Sequence, residues 1–161
     1  MKKIFLLVLT SLLFLVIVTA VNSEQTGPSV IRVIDGDTIV ISGNIHIRLL
    51  GVDTPELHHP NKKVECFAHE AKKFTESQVL NKKVKIILEG KQDDPWKRPL
   101  AWVWYGKYFK KLLNAEIIKE GYGFSFRKYP TSKLEEFNEL ERQARQQQKG
   151  LWHPDACNGQ R

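Results

Sequence analysis

The stretch between residues 38 and 49 admits few folds. Apolar side chains fall on the odd positions Ile39, Ile41, Ile45, Ile47 and Leu49, interrupted by Ser42-Gly43-Asn44. Alternation with a period of two marks a half-buried strand. The intervening turn has to preserve the parity, because a slip of one residue sends every apolar side chain to the other face. A three-residue hairpin loop does so, with Gly43 or Asn44 in the left-handed conformation.

A lone hairpin is marginal in water, so partners are required. Residues 30–34 form a β-branched run, and 84–88 and 100–104 read as two further strands on either side of the polar loop 89–99. Trp102 and Trp104 share a parity and read as barrel residues. Residues 64–80 carry Ala68, Ala71, Phe74 and Val79 at roughly helical spacing, which predicts an amphipathic helix. Asn114 reads as the cap of a second helix, after a short strand near 108–113 and ending at Gly121. A third has Thr131 or Ser132 as its cap, Glu135 in capping-box position and the stripe Leu134, Phe137, Leu140 and Ala144. Strands with interspersed helices in one small domain predict an α+β fold, mainly β, built on a closed sheet such as the five-stranded OB barrel.

Ahead of this domain stands a leader pattern. Met1-Lys2-Lys3 precedes an apolar run from Ile4 to Val18 and the small residues Thr19 and Ala20. Such a segment at 1–23 is expected to act as a secretory signal peptide or as a retained anchor, placing the domain outside the cytoplasm. Residues 24–28 then form a flexible lead-in, 29–153 the folded domain and 154–161 a tail. The 161 residues carry 25 Lys and Arg against 18 Asp and Glu. Loss of the leader removes only Lys2 and Lys3 from that count and leaves an excess of five, 23 against 18. A moderately basic exported domain favours polyanionic partners. Cys66 and Cys157 are either a disulfide, which an oxidising compartment permits, or two free thiols. His58, His59, Cys66 and His69 match no common zinc spacing.

Chemistry concentrates in Asp35-Gly36-Asp37-Thr38 and in the run from Arg48 to Asp53-Thr54-Pro55-Glu56. Hydrolysis of a phosphodiester places growing negative charge on phosphate oxygens while a water attacks. Arg48 has a planar fork that holds two such oxygens, and Asp37 and Asp53 are hard ligands suited to Ca²⁺ or Mg²⁺, with a Thr54 carbonyl to complete the shell. Glu56, behind a stiffening proline, is free to deprotonate water. Each string also has an ordinary reading. Asp-Gly is turn chemistry, Asp53-Thr54-Pro55 suits a helix start, and Arg48 on the even face of its strand has the reading of a solvated charge. Strand parity alone does not bring Asp37 and Arg48 together, so a bulge or the barrel twist must do it.

With these residues the chain resembles the staphylococcal, thermonuclease-like nucleases. The resemblance runs from about Val30 to Trp152 and includes Ile34-Asp35-Gly36-Asp37-Thr38, Ile47-Arg48-Leu49-Leu50, Val52-Asp53-Thr54-Pro55-Glu56, Arg98 with Leu100-Ala101, Asn114, Gly121 and Leu151-Trp152. It implies an OB barrel with three helices and Ca²⁺-dependent cleavage of DNA and RNA to 3′-phosphate ends. It implies further that Asp37, Asp53 and Thr54 hold the Ca²⁺, that Arg48 and Arg98 clamp phosphate and that Glu56 is the general base. DNA and RNA are the expected substrates of an expected monomer, no protein partner is implied, and a membrane is a partner only where the N-terminal segment stays uncleaved. Departures gather around Arg98, in the loop Asp94-Pro95-Trp96-Lys97-Arg98-Pro99. There Lys97 stands where the family has glycine, and Trp96 retains an aromatic face for stacking on a base. Downstream, Arg127 replaces a tyrosine while Tyr129 is kept as a substrate contact. The other expectation is a noncatalytic OB module that binds single strands.

Overall fold

Strands β1 (Val30–Asp35), β2 (Thr38–Ile41) and β3 (Ile45–Leu49) form an antiparallel meander. The computed structural model describes residues 26–58 and 63–161, the side chains of 91–93 excepted. The expected leader at 1–23, residues 24 and 25 of the lead-in and His59 lie outside the described residues. The hairpin keeps its parity: Ile41 faces Ile45, and both Gly43 and Asn44 take positive φ, 86° and 59°. β2 is buried on both faces rather than one, since Thr38 on its even side is covered along with Ile39 and Ile41.

After the two-residue strand β4 (Val52–Asp53), β5 (Lys85–Asp93) and β6 (Pro99–Tyr105) complete the order β1-β2-β3-β6-β5, with β6 parallel to β3 and antiparallel to β5. The ends then meet. Ser29 bridges Lys83, the Val84 N–H donates to the Pro28 carbonyl at 3.0 Å and the Val30 N–H donates to the Lys82 carbonyl at 3.0 Å. This order, parallel once and closed through the first strand, is the OB barrel that the alternation predicts, and closure removes the exposed edges. Pro28, at the end of the lead-in, is thus bonded into the barrel. A short β7 (Lys111–Leu112) extends β6, and β8 (Phe124–Ser125) pairs with β4.

Three α-helices pack on this sheet: α1 (Ala68–Val79), α2 (Leu113–Lys119) and α3 (Leu134–Gln146). α1 starts four residues later than the apolar spacing suggests. Phe67 before it is left-handed, φ 70°, and Cys66 is held in a disulfide with Cys157, so helical geometry cannot extend back to residue 64. Asn114 does not cap α2. It lies inside the helix, fully buried, where its side-chain NH₂ donates to the Leu50 and Ala101 carbonyls (2.9 and 3.0 Å) and its oxygen accepts the Val103 N–H at 2.9 Å. Nor does the capping box of α3 form. Both the N–H and the hydroxyl of Ser132 donate to Glu89 on β5, and the residue before the helix is Lys133, which supplies no side-chain cap.

One core fills the barrel and the space beneath the helices. Ile39, Leu49 and Val103 from the strands meet Leu113, Ile117, Ile118 and Phe137 from α2 and α3, all essentially without solvent exposure. Burial of each such side chain is worth roughly 1.5–3 kcal/mol. A smaller cluster of Ala144, Leu151, Trp152 and Cys157 packs the end of α3 against the C-terminal turns.

Candidate active site

Asp37 sits in the turn between β1 and β2, where Asp35 pairs with Thr38 across a register irregularity. Being outside the strand, it escapes the parity that separates it from Arg48. Gly36 is required here by close approach: a Cβ would lie 2.7 Å from the Thr54 side chain. The turn is pinned from α1 by the Thr75 hydroxyl, which donates to the Gly36 carbonyl at 2.6 Å. Across the next ladder Thr38 pairs directly with Arg48, so the guanidinium rises beside the turn. Asp53 is held by the β4–β8 ladder opposite Phe124.

These placements bring Asp37, Arg48, Asp53 and Thr54 into one cluster. Arg48 Nη1 is 2.6 Å from Asp37 Oδ2 and donates to the Val52 carbonyl at 3.0 Å, while its Nη2 donates to Asp53 Oδ1 at 3.1 Å. The Thr54 N–H donates to Asp37 Oδ2 at 2.8 Å and the Thr38 hydroxyl to Asp37 Oδ1 at 3.2 Å. Asp37 is only 2% exposed. Burial pushes its carboxyl up to about 7 in spite of the pull of Arg48, and Asp35 adds to the rise. Burial works against the charge on Arg48 as well, but Asp37, Asp53, Asp35 and Glu56 more than offset it and strengthen its protonation.

Glu56 borders the same charges. Its N–H donates to Glu65 Oε2 and its carbonyl accepts the Glu65 N–H, both at 3.0 Å, which fixes the loop behind Pro55. Burial raises its pKa, with Asp37 and Asp53 adding and Arg48 opposing, so it is a carboxylate of increased basicity.

Arg98 reaches the cluster through Thr38, whose hydroxyl accepts from Nη1 at 3.3 Å. Its aim is set by Asp94: Oδ2 accepts Nε at 2.5 Å and Oδ1 accepts the N–H of Trp96 and of Arg98 itself, each at 2.9 Å. Lys97 takes the left-handed conformation, φ 60°, that a glycine would adopt without cost. Trp96 is 74% exposed, with the Arg98 guanidinium carbon 5.1 Å from its ring centroid. Tyr129 stands on the loop before α3, 5.8 Å from the Phe126 ring and 5.6 Å from Lys128 Nζ. Arg127 is committed to the buried Glu141 at 3.1 Å.

Several participants carry little signal in the sequence. Thr38 reads as the end of a turn and the start of a strand, and Asp94-Pro95 is a turn starter whose acid proves to organise Arg98. Arg161 lies 108 residues from Asp53, yet it donates to Asp53 Oδ2 and stacks on Phe124, with its guanidinium carbon 4.4 Å from the ring centroid. Its approach is fixed by the Cys66–Cys157 disulfide, whose Cα atoms are 6.0 Å apart, and by Gly159, whose N–H donates to the Leu151 carbonyl at 2.9 Å. The same disulfide removes Cys66 as a zinc ligand, and among the described residues no group of three His, Cys, Asp or Glu side chains is arranged to hold a metal ion.

The donor set nevertheless fits a hard cation. Asp35, Asp37, Asp53 and Glu56 all act on Arg48, which leaves more negative than positive charge in a buried spot. Burial is the main cause of the raised pKa of Asp37, with Asp35 adding to it, and oxygen donors of this kind suit Ca²⁺.

Residues 46–154 match the family described as staphylococcal nuclease homologue. The chain is 35% identical over 135 residues to a thermonuclease of Staphylococcus hyicus, covering 81% of this chain and 78% of that protein. It is 39% identical over 93 residues to a thermonuclease of Staphylococcus intermedius, covering 56% of this chain and 54% of that one. An uncharacterized endonuclease of Haemophilus influenzae is 30% identical over 151 residues, 91% of this chain and 78% of that one. With its OB barrel and a matched span covering most of its length, the chain belongs to the staphylococcal nuclease homologue family.

Proposed function

We propose that this chain is an exported Ca²⁺-dependent nuclease that hydrolyses phosphodiester bonds of DNA and RNA by in-line attack of water, leaving 3′-phosphate ends. The observation that carries this reading is the Arg48 bridge between Asp37 and Asp53, with Arg98 one hydroxyl away. Asp37, Asp53 and the Thr54 carbonyl are the groups to hold the ion, which when bound supplies positive charge where phosphate charge grows. Arg48 takes up two phosphate oxygens with its planar fork; the contacts named above engage three of the five N–H donors that a guanidinium carries. Arg98, held by Asp94, approaches the same phosphate from the β5–β6 loop. Glu56 accepts the proton of the attacking water, and its raised pKa favours that task. Trp96 and Tyr129 offer exposed rings for stacking of bases.

Export is supported by the leader pattern at 1–23 and by a disulfide suited to an oxidising compartment. The test is incubation of the purified protein with single- and double-stranded DNA and RNA, with and without Ca²⁺, followed by end-group analysis. Cleavage that stops on chelation and leaves 3′-phosphates supports the reading. Undiminished cleavage in chelator, or 5′-phosphate products, overturns it.

A further inference from the structure

The barrel has a second charged end, remote from Arg48. β6 leaves the active-site end at Pro99 and reaches Tyr105 six residues later, roughly 20 Å away at about 3.3 Å per residue. At that far end Gly27 packs against the Val84 carbonyl, and a Cβ placed on it would lie 3.6 Å from the Phe109 ring, so the chain enters the barrel beside the loop that follows β6. Lys83 pairs with Ser29, Lys85 with Trp104 and Lys111 with Tyr105, which gathers these residues and Lys107 and Lys110 around one pole. All five lysines are exposed, and among the described residues none is in an ion pair.

Tyr108 stands in the middle. It is 62% exposed, with Lys107 Nζ 5.2 Å and Lys110 Nζ 5.8 Å from its ring centroid. Tyr108 and Phe109 are consecutive left-handed residues, φ 57° and 51°, a conformation that costs roughly 1–2 kcal/mol per residue. The strain turns Phe109 toward Gly27 while Tyr108 points out among the lysines. Strain kept at an exposed loop calls for a use.

We propose that this pole docks on an anionic lipid surface, leaving the Asp37–Arg48 cluster at the opposite end open to substrate. An aromatic ring with a polar tip among lysines is the composition of a membrane interface, and each lysine near such a surface adds to the attraction. Position selects lipid over other polyanions. The apolar run from Ile4 to Val18 precedes the entry point by only residues 19–26, a tether of at most roughly 30 Å. A segment that enters a bilayer through that run brings the lysine pole, and not the active site, against the headgroups.

The test uses the full chain, residues 1–161, with vesicles of phosphatidylcholine alone or with about one third phosphatidylglycerol. The apolar run contributes to binding of both, so the ratio of affinities reads the pole. The expected ratio is roughly ten or more at low salt, falling toward one at about 0.5 M salt. Combined Lys107→Gln, Lys110→Gln and Lys111→Gln removes most of it, and combined Lys72→Gln, Lys73→Gln and Lys119→Gln on the helices does not. In the unmodified chain, acylation of Lys107, Lys110 and Lys111 slows on the anionic vesicles. Equal affinity for the two vesicles, or equal loss in both triple variants, overturns the proposal. Protection of these lysines by a single-stranded oligonucleotide but not by anionic vesicles also overturns it and assigns the pole to nucleic acid.

Discussion

Asp94 grips Arg98 at two points, taking Nε on one carboxylate oxygen at 2.5 Å and the backbone N–H on the other at 2.9 Å. The Asp94 N–H in turn donates to the Arg98 carbonyl at 3.0 Å, so the loop closes on itself around one acid. This replaces what a glycine would provide. Lys97 is forced left-handed, and the bonds that force it are those that aim Arg98 at Thr38.

Asp94→Ala is therefore expected to lower kcat/KM roughly 10–100-fold through loss of Arg98 positioning, since small misplacement of a clamp costs about that much. Steady-state cleavage of an oligonucleotide checks it, beside a melting curve that should shift by only a few degrees. Lys97→Gly is expected to keep activity.

Asn114 joins α2 to both strands of the parallel β3–β6 contact, and its three partners are buried. Asn114→Ala leaves the Leu50 carbonyl and the Val103 N–H without that partner, while the Ala101 carbonyl keeps the Leu50 N–H at 3.0 Å. At roughly 1–3 kcal/mol for each orphaned group, a loss of about 2–5 kcal/mol is expected in urea unfolding. A loss below about 1 kcal/mol would mean that water replaces the amide.

Burial works against the Glu89 carboxylate, but the hydrogen bonds from Ser132 and Trp102 outweigh it and hold its pKa below the usual glutamate value. A lowered folded pKa means that the stabilisation is present above the unfolded value and is lost as pH falls through the folded one. Glu89→Gln should thus be less stable than the parent at pH near 7, with the gap closing below about pH 4. Unfolding followed by tryptophan fluorescence across that window checks it, because Trp102 Nε1 donates to Glu89 at 2.9 Å.

The disulfide closes a sequence separation of 91, for which chain entropy gives roughly 4–5 kcal/mol. Reduction, or Cys66→Ser with Cys157→Ser, is expected to destabilise by that order and to loosen Arg161 from Asp53. Calorimetric Ca²⁺ titration of Arg161→Ala is expected to show binding a few-fold tighter than the parent, because one competing cation has left Asp53.

What could be read in advance follows the range of the physics involved. Alternation of isoleucines and the Ser42-Gly43-Asn44 turn are local, and they specify a hairpin that the structure contains. The acids, arginine and glutamate of the cluster were legible because turn chemistry and ligand chemistry occur in one short run. Asn114, and Ser132 of the two residues that read as the cap of α3, do not cap for the opposite reason: a buried strand junction and a distant Glu89 outbid the nearby helix N–H groups, and only tertiary structure brings those partners near. Glu141 was hidden in the same way. It lies on the apolar stripe of α3, 1% exposed, where it accepts the Ser125 N–H at 2.8 Å and pairs with Arg127 and Arg145.

The most direct test of the hydrolytic role of the cluster is the cleavage rate of Glu56→Gln at saturating Ca²⁺, with circular dichroism confirming the fold. The proposed role of Glu56 as proton acceptor predicts a folded protein whose kcat falls roughly 10²–10⁴-fold. A folded Glu56→Gln protein that cleaves at the parent rate would contradict the account.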